Sequence, residues 1–152
     1  MKIRLLLLSL TLWMTGCFST YKAPASGPTA LVKVPSDVMN LGSLFVFDNA
    51  QCANVRLARI DAEGTIALPA GRPVFIGSKR DTRGLAVEVY CKSLVSFVPQ
   101  PNAVYETNFS VDFNSRRCAL EVKQLLPSGS QQREPSLRPF HHKDCDSFWT
   151  QP

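Results

Sequence analysis

Ala103-Val-Tyr-Glu-Thr-Asn-Phe-Ser-Val-Asp-Phe113 is the stretch on which the reading of the fold turns. Ala103, Tyr105, Thr107, Phe109, Val111 and Phe113 alternate with Val104, Glu106, Asn108, Ser110 and Asp112. Successive side chains of a strand point to opposite faces, so one face is largely apolar and the other mostly polar. Tyr105 is expected on the inward face. Cys118, Leu120 and Val122 alternate in the same way with Ala119, Glu121 and Lys123, and Asn114-Ser115-Arg116 between the two runs suits a hairpin turn.

Working outward, Leu85, Val87, Val89 and Cys91 alternate with Ala86, Glu88 and Tyr90. Leu44 to Phe47 is apolar on both sides, as expected of a central strand or of one that carries a partner face. Shorter strands are expected at Val55–Ile60, Thr65–Leu68, Val74–Gly77 and Leu94–Val98. Asp61-Ala62-Glu63-Gly64 is a turn sequence with a glycine available for positive φ. Pro69, Pro73, Pro99 and Pro101 fall at strand ends, where a missing N–H does least harm. Beyond residue 16 no long amphipathic helical period exists. The expectation is an all-β fold: an antiparallel β-sandwich of immunoglobulin or transthyretin type, or a small barrel.

The amino terminus reads differently. Met1-Lys2-Ile3-Arg4 is charged, Leu5 to Trp13 is apolar, and Met14-Thr15-Gly16 leads to Cys17. The apolar run is too short for a stable membrane span and has the layout of a secretion signal. A cysteine directly after a small residue at the cleavage point resembles the bacterial lipobox, with Met14 where leucine is usual. The resemblance implies cleavage after Gly16, diacylglycerol on the Cys17 sulfur and further acylation of palmitate type. Phe18 follows the cysteine where aspartate resembles an inner-membrane retention signal, which favours the periplasmic face of the outer membrane.

The expected organisation is a signal peptide over 1–16, a flexible tether over 17–35, a β-sandwich over 36–126, and a loop with a pinned tail over 127–152. Of 152 residues, removing 16 leaves 136, enough for one domain. Seventeen Lys and Arg stand against twelve Asp and Glu; without Lys2 and Arg4 the excess is three. The basic residues are scattered and no nucleic-acid motif accompanies them, so nucleic acid is not an expected partner.

Cys52, Cys91, Cys118 and Cys145 remain, an even set in an exported chain, which reads as disulfides. Three pairings are possible. The sequential one, Cys52–Cys91 with Cys118–Cys145, is favoured; each loop would contribute roughly 3.5–4 kcal/mol by chain entropy. No Cys-x-x-Cys pair supports a thiolate zinc site.

Ala67-Leu-Pro-Ala-Gly-Arg-Pro-Val-Phe-Ile, Cys91, Phe97-Val98-Pro99, Tyr105 and Cys118-Ala-Leu-Glu-Val together resemble a group of small proteobacterial lipoproteins of poorly defined function. The match covers about residues 43–124, with Asn102 in the turn where glycine is usual. Asparagine also tolerates the left-handed conformation. The resemblance implies a β-sandwich with sequence-local disulfides and no catalytic residue.

Candidate chemistry is sparse. His141 and His142, with Asp144 and Asp146, have metal-ligating types, but adjacent side chains on an extended chain point apart. No Gly-x-Ser-x-Gly is present, and Asp61 and Glu63 sit in a turn. Lys79-Arg80-Asp81-Thr82-Arg83 is the densest basic stretch, read as a loop, and Arg116-Arg117 is another. Phe148 and Trp149 suit the covering of a sheet edge. No cofactor, metal or enzymatic activity is expected. The expected role is a lipid-anchored protein of envelope structure or assembly with an envelope protein partner, or else a binding or inhibitory module against a cell-wall lytic enzyme or envelope ligand.

Overall fold

In the computed structural model, residues 19–36, 43–81 and 90–149 are described. The expected leader, Cys17, and the expected strand positions Leu85, Val87 and Val89 lie outside them. The chain forms β1 (Ser19–Tyr21), β2 (Thr29–Lys33), β3 (Ser43–Phe47), β4 (Arg56–Ala58), β5 (Thr65–Pro69) and β6 (Val74–Asp81). It continues as β7 (Tyr90–Phe97), β8 (Val104–Asp112), β9 (Arg117–Leu125), β10 (Gln131–Arg133), β11 (Arg138–Pro139) and a short helix, α1 (Asp144–Trp149).

The strands make two sheets that do not close into a barrel, an arrangement compatible with a sandwich. The first has the order β1-β4-β3-β6-β7-β11 and the second β10-β9-β8-β2-β5. Tyr105, Thr107 and Phe109 of β8 are buried while Asn108 and Ser110 are exposed, as the alternation requires. Leu120 and Val122 of β9 join them, and Val32, Leu44, Ile76 and Phe97 complete a core shared by both sheets. Phe113 is 54% exposed, because β8 stops one residue earlier and the alternation lapses in the turn.

Turn chemistry sets the registers. The Asp112 carboxylate accepts from the N–H groups of Asn114 and Ser115 at 2.9 and 3.2 Å and from the Ser115 hydroxyl at 2.7 Å. Arg116 closes that hairpin at φ 54°. Asp61 does the same for its turn, accepting from the Glu63 and Thr65 N–H groups, with Gly64 at φ 75°. Asn102 is left-handed at φ 61°, as its place in the turn before β8 anticipates.

Several expectations are corrected. The stretch 17–35 is not a flexible tether through 19–33: β1 pairs with β4, and β2 lies between β5 and β8. Its alternating Ala30, Val32 and Val34 are buried, a period masked in sequence by the flanking Pro, Gly and Ser. Leu94–Val98 is not a separate strand, since β7 runs through both Cys91 and Leu94. Residues 127–152 are more than a loop with a tail, because β10 and β11 add one strand to an edge of each sheet. Lys79 to Asp81, read as part of a basic loop, belong to β6.

The disulfide pairing is also corrected: Cys91 bonds Cys118, and Cys52 bonds Cys145. Face parity is the reason. Cys91 shares the inward face of β7 with Val95 and Phe97, and Cys118 shares that of β9 with Leu120 and Val122, so this bond joins the two sheets. Cys52 lies in the turn after β3, among Phe45, Phe47 and Leu94 on the outer face of the first sheet. Cys52 and Cys91 are therefore on opposite sides of one sheet.

Leu44 to Phe47 resolves into a strand buried on both faces. Leu44 and Val46 enter the shared core, and Phe45 and Phe47 lie under the C-terminal segment. Phe140 packs edge-on against Phe47 and Phe75 at centroid distances of 6.4 and 5.6 Å. The side chains of Phe148 and Trp149 lie outside the described set.

Candidate functional site

A groove of about 610 Å³ opens at the end of the molecule where β3 and β5 finish and β6 begins. Its walls come from Tyr21, Lys22 and Pro24, from Val46 to Asp48, from Arg56, and from the Pro69–Phe75 region.

The backbone explains why a groove forms there. Pro69 ends β5, and the connection to β6 crosses from the second sheet to the first. Its N–H groups are satisfied on the way: Ala70 donates to the Pro28 carbonyl at 2.9 Å and Gly71 to the Pro99 carbonyl at 2.8 Å. Gly71 is at φ 76°, a conformation that disfavours side chains. Arg72 and Pro73 follow, exposed. Pro69, Arg72 and Pro73 of this connection thus form the groove rim.

On the opposite wall, Tyr21 is buried, and its hydroxyl donates to the Ala67 carbonyl at 3.3 Å. That bond ties the β1 edge of the first sheet to the β5 edge of the second. The Arg56 guanidinium sits over the Tyr21 ring, 5.4 Å from its centroid, and pairs with Asp48. Asp48 also accepts from the Asn54 side-chain amide at 2.7 Å. Arg56 Nε is buried and has no hydrogen-bond partner. Among the described residues neither Lys22 nor Arg72 has an ion-pair partner. Three cations therefore face one carboxylate. Burial pushes the Tyr21 hydroxyl up from its usual pKa, and the nearby charges of Arg56 and Arg72 oppose that rise.

The lining contains no His, Cys or Ser. It offers guanidinium and ammonium donors beside Pro24, Pro69 and Pro73, a surface suited to holding an anionic group attached to an apolar one.

The residues singled out from sequence are scattered. Cys17 lies outside the described residues. Cys52, Cys91, Cys118 and Cys145 are all in disulfides. His141 Nε2 lies 3.6 Å from Asp146 and His142 Nδ1 lies 3.4 Å from Asp144, so the histidines face different carboxylates. Asp146 also pairs with Lys92, whose ammonium holds its carboxyl below the usual range. Among the described residues no group of three His, Cys, Asp or Glu is placed to hold a metal ion. Asp61 is engaged by its own turn, and hydrogen bonds from Thr65 lower its pKa. Lys79 lies over the Phe45 ring at 5.9 Å. Arg116 and Arg117 mark the hairpin at the opposite end from the groove.

Sequence reasoning missed Tyr21, Arg56 and Arg72. Tyr21 fell in the supposed tether, and the two arginines are isolated in sequence. The only available signal was the Ala-Gly-Arg-Pro turn. The chain matches no protein-family model, no curated protein and no solved structure.

Proposed function

We propose that this is an exported lipoprotein, acylated at Cys17 and held at the periplasmic face of the outer membrane, that acts by binding rather than catalysis. The observation that carries the reading is the closure of Cys52, Cys91, Cys118 and Cys145 into two disulfides, chemistry suited to an oxidising compartment. The charged and apolar leader ending at Cys17 supplies the route there.

Only Phe18 separates Cys17 from β1, so the domain would stand against the lipid surface instead of on a long tether. A role in envelope structure or assembly needs a contact surface. The open edges are poor ones: β11 has two residues and ends in Pro139, while β1 and β10 have three each. On β5 the Ala67 carbonyl is already engaged by Tyr21. The groove is the better-formed surface, and it favours the form of the proposal in which the protein is a binding module for an envelope ligand or enzyme.

We read the two sheets as a β-sandwich of immunoglobulin or transthyretin type, in which the parallel pairs β1–β4 and β2–β8 depart from an all-antiparallel arrangement.

The test is the mass of the amino-terminal peptide from protein taken from native membranes. A peptide starting at Cys17 and carrying diacylglycerol is expected. An unmodified start, or a leader cut elsewhere, overturns the anchoring.

A further inference from the structure

We infer that the groove holds the phosphate of an anionic phospholipid headgroup, with Arg72 and Lys22 as its free cations beside the part-exposed Arg56 guanidinium. Three observations converge. First, Arg56 lines the groove with its side chain part-exposed, and the guanidinium has more N–H donors than the one that pairs with Asp48. Second, Arg56 and Arg72 both act electrostatically on the Tyr21 hydroxyl, so two guanidinium charges reach one locality, and Asp48 offsets only one of them. Guanidinium is the side chain best matched to phosphate oxygens. Third, Pro24, Pro69 and Pro73 border the cations and are part-exposed or exposed, an apolar surface for the glycerol and first methylenes of a lipid.

Position favours a lipid over a free phosphate. Ser19 is paired with Arg56, so β1 begins at the groove. A chain anchored through Cys17 joins the fold at this end, which faces the headgroup layer. That part of the inference rests on the anchoring proposed above; the groove chemistry does not.

The experiment uses the full chain in neutral detergent and reads the side-chain Nε–H resonance of Arg56 by NMR. Three probes are titrated separately: short-chain phosphatidylglycerol, short-chain phosphatidylcholine and inorganic phosphate. A saturable shift with phosphatidylglycerol is expected, and little with the other two. Arg72→Ala, on an exposed turn, should weaken the apparent affinity about fivefold, the value of one basic residue near an anionic surface. Arg117→Ala, at the far hairpin, should leave it unchanged. No saturable shift, equal binding of inorganic phosphate, or equal weakening by Arg117→Ala overturns the inference. A missing acyl mass at Cys17 together with a saturating shift would remove the anchoring and leave the groove standing.

Discussion

The two faces of the first sheet are covered in different ways. The inner face meets the second sheet along its length, and Leu44, Val46, Ile76, Val95 and Phe97 pack against Tyr105, Phe109, Leu120 and Val122. The outer face has only a patch of cover, built from Phe45, Phe47, Leu94, Cys52 and Cys145 with Phe75 and Phe140 beside them. Each layer has its own disulfide. Cys91–Cys118 spans 27 positions and joins sheet to sheet, while Cys52–Cys145 spans 93 and ties the C-terminal helix to the turn after β3. A large core sustains itself by area. A small one needs a covalent clamp, because burial of a few rings barely exceeds the entropy of ordering the chain that covers them.

The comparison can be broken most sharply at its centre. Tyr105 is fully buried, and its hydroxyl accepts from the Gln100 N–H at 3.0 Å. Tyr105→Asp would place an unpaired charge in the shared core and should cost upwards of about 4 kcal/mol. An unchanged melting temperature would show that the inner face is misassigned.

Replacing Cys52 and Cys145 together with alanine removes the longer crosslink, worth about 4–5 kcal/mol by loop entropy. Hydrogen exchange distinguishes the layers. The Phe140 N–H, bonded to the Leu94 carbonyl at 3.1 Å, should lose protection while the β8–β9 amides keep theirs. Equal loss in both places would mean that the two layers open as one unit.

The corresponding change at Cys91 and Cys118 should cost less, about 3.5 kcal/mol, because the closed loop is shorter. A chemical denaturation series on both double variants checks the ordering. Phe140→Ala should cost about 2 kcal/mol and leave the inner face intact, since that ring is half-buried and meets only the outer layer.

The smallest effect is a pH dependence confined to the inner side. Burial raises the Tyr105 and Tyr21 hydroxyls above their ordinary pKa near 10. Groups raised in the folded state contribute stability that is present below about pH 10 and is lost as pH climbs through the folded values. Tyr105→Phe should flatten that alkaline decline in a pH-resolved melting series. An identical slope in the variant would place the titration elsewhere.

Legibility followed the same division. The β8–β9 hairpin, its turn, the left-handed Asn102 and the inward Tyr105 could all be read locally, because strand alternation and turn chemistry act over a few residues. β2 obeys the same period, yet the Pro and Gly around it obscure a run of five and give the stretch the composition of a tether. Of the groove only the Ala70-Gly71-Arg72-Pro73 turn was legible. Tyr21, Arg56 and Arg72 come from three separate stretches, and nothing in the neighbourhoods of Tyr21 and Arg56 marks them.

Composition and alternation alone were enough to anticipate a β-rich chain whose four cysteines Cys52, Cys91, Cys118 and Cys145 are paired, since those depend on local residue chemistry. Which cysteine meets which, what covers Phe45 and Phe47, and where three cations converge were decided only by tertiary packing. Face parity and strand order bring together residues that the chain keeps tens of positions apart.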